Sequence, residues 1–454
     1  MLSQPTYATP EPLATLASKA VLERIKSAAD GLKATFACGG SVECSQPVRI
    51  FFWETGGDIQ SEHKTLQLPK QGADASALRD LVAACSAATF GRSNPNNPRE
   101  GADVLDPSYR KALKLDVERF ATNINLSELG ILAHIKTLMA PDAADVRAEL
   151  YKLNIHQAGD FFKAHVDTPR SEDMLGSLVI ALPSIHEGGE LTVEHAGQQQ
   201  TFDWSLTKLP EKPMLQWGAF YSDCKHKVHP VKSGARITVT YNLMAVKATP
   251  PPLQGINPTT LGLRQVLDAA LETPGFLDQG GTLAFGCQHA YPHSSNAFLK
   301  TDFEPQLKGA DACLVAVARD LGLKSEIKSL YKREHDDYEE EEYDSDGEEF
   351  SEEEVARRRS SRFIGQDFRL SMGEGLDETY GTDDIYGLVC PKVEKRWDLT
   401  WCHEVEHREV GAVYGTTGNE VSTDCIYSCA VILISIPPMM QRMPAPASKR
   451  VKHS

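Results

Sequence analysis

A chain of 454 residues is too long for one ordinary core, so two or three domains are expected. Its 41% hydrophobic and 24% charged residues are the proportions of a soluble globular protein. The formal charge of −16 is local, because 13 Asp and Glu residues lie between Asp336 and Glu354. Without them the chain is near neutral, which speaks against a nucleic-acid partner.

Ten cysteines lie scattered, without the dense pairing of a secreted scaffold. The first thirty residues lack an apolar core segment, which predicts reduced thiols in a cytoplasmic or nuclear protein that is not secreted. The longest apolar run, Cys429 to Pro437, is too short to span a bilayer, so no membrane partner is expected. Cys425 and Cys429 are spaced too widely for a CxxC metal pair.

In chain order, residues 1–10 read as a flexible tail and residues 11–247 as one catalytic domain. Leu13 to Leu32 has Leu16, Ala20, Leu22 and Ile25 spaced as on a helix face. KATFAC, VRIFFWET and KTLQLP follow as strands, punctuated by glycine pairs. The spacing predicts helices over Ala75–Phe90, Tyr109–Phe120 and Leu126–Met139, the last stopped by Pro141. From about residue 147 to 247, roughly eight short β-branched and aromatic runs alternate with Gly, Pro, Asp and Ser, the pattern of strands closing into a barrel or double sheet.

The segment ATPPPLQGINP, residues 248–258, is a Pro-rich linker. Residues 259–440 read as an accessory α+β domain, with helices over Leu261–Leu271 and Asp311–Leu321 and a strand in GTLAFGC. Further strand-like runs lie near Asp398–Cys402, Val410–Tyr414 and Ile426–Ile436. Inside this unit, residues 334–362 are acidic, then Arg-rich, and too poor in apolar side chains to offset their ordering entropy, so a disordered loop is expected. Residues 441–454 form a basic tail.

His165 and Asp167 are two apart, which on a strand puts an imidazole and a carboxylate on one face. An HxD alone also fits a polar strand end or turn. His226, followed ten residues later by Arg236, strengthens the metal reading. The strand opened by Arg236 carries Thr238, Thr240 and Asn242 on the arginine's face and Ile237, Val239, Tyr241 and Leu243 on the other. A polar face of that kind lines either a ligand-filled cavity or open water. His229 competes with His226 as third ligand but precedes Pro230 at a strand end.

Together HVDTPR, GGEL and FYSDCKHKVHPVKSGARITVTYN resemble the 2-oxoglutarate- and Fe(II)-dependent dioxygenases, most closely their prolyl 4-hydroxylase-like branch. The resemblance spans roughly Leu150 to Val246. It implies an α+β, mainly β fold: a double-stranded β-helix (jelly roll) with flanking helices, joined to the accessory domain. It also implies Fe(II) held by His165, Asp167 and His226, with the far carboxylate of 2-oxoglutarate on Arg236 and Thr238. A bidentate, permanently charged guanidinium suits a buried carboxylate. O₂ is the co-reactant, ascorbate a candidate reductant, and succinate and CO₂ the products. A protein or peptide substrate is implied, with a prolyl residue as first candidate. Where relatives usually carry a Tyr near the cosubstrate, this chain has His156. Thr168 and Arg170 follow the HxD and are the expected substrate contacts at the barrel mouth. The rival expectation is a catalytically silent binding protein using the acidic loop and second domain as contact surfaces.

Four other signals carry less. His403 to His407 spells HExxH, but β-branched and aromatic surroundings oppose the helix that a zinc protease needs. Cys287, His289 and His293 lack a fourth metal ligand, so core or surface roles are expected. Ser345 and Ser351 have acidic residues downstream, a context for acidophilic kinases, and Lys449, Arg450 and Lys452 form a short import-like cluster.

Overall fold

A computed structural model describes residues 13–32, 34–53, 63–69, 76–94, 97–210, 212–246, 256–294, 306–332 and 399–403, with short segments at 362–364, 412–413, 417–418, 425–428 and 430–442. The acidic segment, the phosphorylation and import signals, most of the Pro-rich linker and HExxH beyond His403 lie outside the described residues.

The strands that frame the first core are β1 (Ala37–Glu43), β2 (Leu113–Asp116), β3 (Asp145–Gln157), β4 (Phe161–His165), β5 (Met174–Ala181), β6 (His186–Gly188), β7 (Leu191–His195), β8 (Gln198–Phe202), β9 (Met214–Tyr221), β10 (Lys225–Val228) and β11 (Val231–Val246). One sheet orders them β1-β9-β5-β11-β3-β2, with β6 also on β11. The facing sheet runs β8-β7-β10-β4 and ends on Arg110–Lys111.

The antiparallel pairing is nested: β3 with β11, β4 with β10, β5 with β9, and β7 with β8. First pairs with last and second with second-last, which winds a long β-hairpin into two facing sheets. That is a double-stranded β-helix, and it leaves its interior accessible from one end.

Parity explains which residues reach that interior. In register, Asn154 faces Thr238 and His156 faces Arg236 across β3 and β11. The alternate residues Leu153, Ile155, Ile237, Val239 and Leu243 are fully buried in the apolar core. A helix at Ile131–Met139 adds Ile131, Ile135 and Met139 to the same core.

The structure corrects three expectations. Tyr109–Phe120 is not a helix but two short strands, Arg110–Lys111 and β2, then a single 3-10 turn. Pairing of Leu113 and Leu115 with β3 outweighs helical spacing there. The helix predicted to reach Phe90 stops at Ala84, and the chain turns into strands at Ser86 and Phe90. The helix Leu13–Asp30, grouped above with residues 11–247, instead buries Val21, Ile25 and Ala29 in a second core.

That second core contains helices Gly262–Glu272 and Gly309–Asp320 packed with strands Gly281–Gly286, Lys324–Lys332, Leu399–His403 and Ala430–Ile436. Leu399–His403 lies parallel to Gly281–Gly286 and the other two strands antiparallel to their neighbours, so the unit is α+β. Among the described residues no helix is long and apolar enough to cross a membrane.

Candidate metal and cosubstrate site

His165 closes β4 and His226 lies directly opposite it on β10. Their ring centroids are 4.1 Å apart, and Asp167 Oδ1 is 3.6 Å from His226 Nε2. Ligand atoms of all three lie within 4.8 Å of one another, and all three side chains are buried.

Each imidazole is oriented by the chain beside it. The His165 Nδ1–H donates to the Lys163 carbonyl at 2.8 Å, and the His226 Nδ1–H to the Cys224 carbonyl at 3.0 Å. A carbonyl only accepts, so each Nε2 keeps its lone pair for the centre. Burial holds His165 well below its usual pKa, with His226 acting in the same direction, which keeps it neutral. Ser177 donates a short hydrogen bond to Asp167 Oδ2, which leaves Oδ1 facing the imidazoles. Two imidazoles and one carboxylate with open positions suit non-haem Fe(II).

A cavity of about 60 Å³ extends from this triad past Ser177 and Asn154 to Arg236, Thr238 and His156. That is room for about four water-sized groups, the scale of a small organic acid. Arg236 is 2% exposed, and its Nε has no hydrogen-bond partner. Among the described residues no carboxylate pairs with it; its guanidinium carbon lies 5.3 Å from the Trp204 ring. Burial pushes its pKa down to about 10, so it remains a cation at neutral pH. His156 is held well below its ordinary pKa by burial, then by Arg236, and both of its ring nitrogens lack partners.

A buried cation without a counter-ion is costly by several kcal/mol, and the penalty is relieved when an anion arrives. Arg236, His156 and the Thr238 hydroxyl therefore form a cradle suited to a carboxylate. Gly189, at φ +77°, lets the chain pass against the Arg236 stem.

His229 lies away from the triad, and its ring bonds the Thr192 hydroxyl at 3.0 Å. Arg170 is half-buried and donates to the Tyr151 hydroxyl at 2.5 Å, while Thr168 is likewise half-buried. Sequence reasoning missed Ser177 and Trp204. A lone serine within GSLVIAL was the one available signal for the first, and nothing marked the second.

Residues 151–244 match the model of the 2OG-Fe(II) oxygenase superfamily. The class so defined is a 2-oxoglutarate-dependent dioxygenase, with Fe(II), 2-oxoglutarate and O₂ as its cofactor and cosubstrates. No curated protein matches the chain. Among solved structures, a 2OG-Fe(II) oxygenase-family oxidoreductase from Burkholderia pseudomallei is 17% identical, covering 39% of this chain and 83% of its own, with a TM-score of 0.24. A Pseudomonas putida prolyl-4-hydroxylase is 16% identical over 31% of this chain and 74% of its own, TM-score 0.21. A Trichoplax adhaerens prolyl hydroxylase, solved with a hypoxia inducible factor peptide fragment, is 11% identical over 52% and 94%, TM-score 0.23. At TM-scores of this size, the fold rests on the strand pairing described above.

Proposed function

We propose that His165, Asp167 and His226 hold Fe(II), that Arg236, Thr238 and His156 hold the far carboxylate of 2-oxoglutarate, and that the enzyme hydroxylates a protein or peptide, a prolyl residue being the first candidate substrate. The observation that carries the cosubstrate reading is Arg236, buried and, among the described residues, without a counter-ion in the cavity that the triad also lines.

When bound, the iron would use O₂ and 2-oxoglutarate to hydroxylate a C–H bond, one oxygen atom going to the product and the other to succinate, with release of CO₂. The chain's own residues do the rest. The Lys163 and Cys224 carbonyls and the Ser177 hydroxyl orient the three ligands. Arg236 fixes the cosubstrate by charge, and neutral His156 and Thr238 can each donate a hydrogen bond to the same carboxylate. Phe162 and Phe220 pack against the two imidazoles and keep water from the centre.

Thr168 and Arg170, directly after the HxD, are the proposed substrate contacts at the mouth. Support for a prolyl target is the likeness of HVDTPR and the later motif to the prolyl 4-hydroxylase-like branch. Incubation of candidate peptides with enzyme, Fe(II) and 2-oxoglutarate tests it: a gain of one oxygen on proline is expected. Oxygen found only on another residue type would exclude the prolyl assignment.

A further inference from the structure

Between the two cores stands a buried charge network that the proposed chemistry does not use. Asp223 lies in the turn joining β9 to β10, three residues before His226. Its Oδ1 accepts from Lys308 Nζ at 2.7 Å, and its Oδ2 from His289 Nδ1 at 3.0 Å and the Ala290 N–H at 3.1 Å. Lys308 and Asp223 side chains are 2% and 4% exposed. All three donors come from the second unit.

The same unit holds the other end of the turn. The Gly309 N–H donates to the Tyr221 hydroxyl at 3.2 Å, and that hydroxyl donates to the Met139 carbonyl at 2.7 Å. Asp311 in turn fixes the donors, accepting from the Gln288 and His289 N–H groups and from the Tyr291 hydroxyl. His289 also stacks on His195 at 4.0 Å, and His195 ends β7, the neighbour of β10.

We infer that Lys308 and His289 of the second unit are positioning residues for the iron site: by clamping Asp223 they set the Cys224 carbonyl that orients His226. The inference rests on His226 being a metal ligand. It makes the C-terminal unit part of the metal centre's framework rather than an appended module. His195, Asp223 and His289 bring ligand atoms within 4.8 Å of one another, as a second metal site would. Yet both Asp223 oxygens are committed, and a cation there would meet the Lys308 ammonium. The cluster is an ion-pair clamp.

The test uses the full chain without its metal, then titrated with Co(II). Hydrogen exchange over residues 222–228 and the visible spectrum of bound Co(II) are compared for wild type, Lys308→Met, Lys308→Arg, Asp223→Asn and His226→Ala. Lys308→Met is expected to speed exchange in that segment, shift the Co(II) spectrum and weaken binding about 10- to 100-fold, with Lys308→Arg restoring all three. Asp223→Asn, which keeps the side-chain shape, is expected to move the same readouts in the same direction and serves if Lys308→Met does not fold. Wild-type exchange, spectrum and affinity in both variants would overturn the clamp, provided His226→Ala abolishes binding. Binding that survives His226→Ala would overturn the metal assignment and the clamp together. A second equivalent of Co(II), lost on His195→Ala, would overturn the clamp by showing a metal site in its place.

Discussion

Gly189 and Arg236 are packed so closely that a Cβ on the glycine would lie 2.8 Å from Arg236 Cδ and 2.8 Å from Val231 Cγ2. The glycine also sits at φ +77°, where a side chain is strained. GGEL is thus a mechanical part of the proposed cosubstrate cradle. Gly189→Ala should displace the guanidinium, weakening 2-oxoglutarate binding about tenfold or more while leaving metal affinity within twofold, because His165, Asp167 and His226 do not touch it. Calorimetric titration of each ligand checks this, and equal losses for both would contradict it.

Arg236→Met should separate stability from binding. Truncating one partner of a buried charge pair typically costs about 2–5 kcal/mol of affinity, or roughly 30- to several-thousand-fold for 2-oxoglutarate. Without ligand the substitution removes an uncompensated buried cation, so the melting temperature should hold or rise. A fall in Tm of the ligand-free variant would show that Arg236 has an internal role.

Ser177→Ala removes the donor to Asp167 Oδ2. The carboxylate then loses its fixed orientation, and metal affinity should fall about 10- to 100-fold. Iron retained after dialysis against a graded chelator measures it. Retention equal to wild type would mean that packing alone orients Asp167.

Protonation gives an independent handle on His156. Burial, then Arg236, Arg110 and His186, holds it well below 6.5 in the folded chain. The unfolded chain binds a proton there near pH 6.5, so stability is present above that pH and declines as pH falls below it. One such group contributes a slope of about 1.4 kcal/mol per pH unit. In metal-free protein, denaturation at pH 7.5, 6.5 and 5.5 should show a shallower decline for His156→Gln. Parallel curves would contradict a buried neutral imidazole.

Much of this architecture was legible because short-range rules coincide with the long-range pairing. The alternation of Arg236, Thr238 and Thr240 follows from strand geometry and puts all three on the cavity, whereas the strand expected to carry HxD ends at His165 and Asp167 reaches the same cavity from the segment after it. Tyr109–Phe120 was misread because its apolar residues fit either period until β3 supplies a partner for Leu113 and Leu115. The first helix was misassigned because its own sequence shows an apolar face but not which core receives it. Asp223 and Lys308 escaped notice, and His289 was weighed only beside Cys287 and His293, for a related reason. They lie up to 85 residues apart in sequence, so no local pattern joins them.

Succinate formed from 2-oxoglutarate by the iron-loaded chain, measured against His226→Ala and Arg236→Met, weighs the catalytic reading most directly. Slow turnover without added substrate is expected in the wild type and none above background in either variant. Turnover that survives loss of His226, or none in a folded, iron-loaded wild type, would contradict the assignment of this cavity to a dioxygenase.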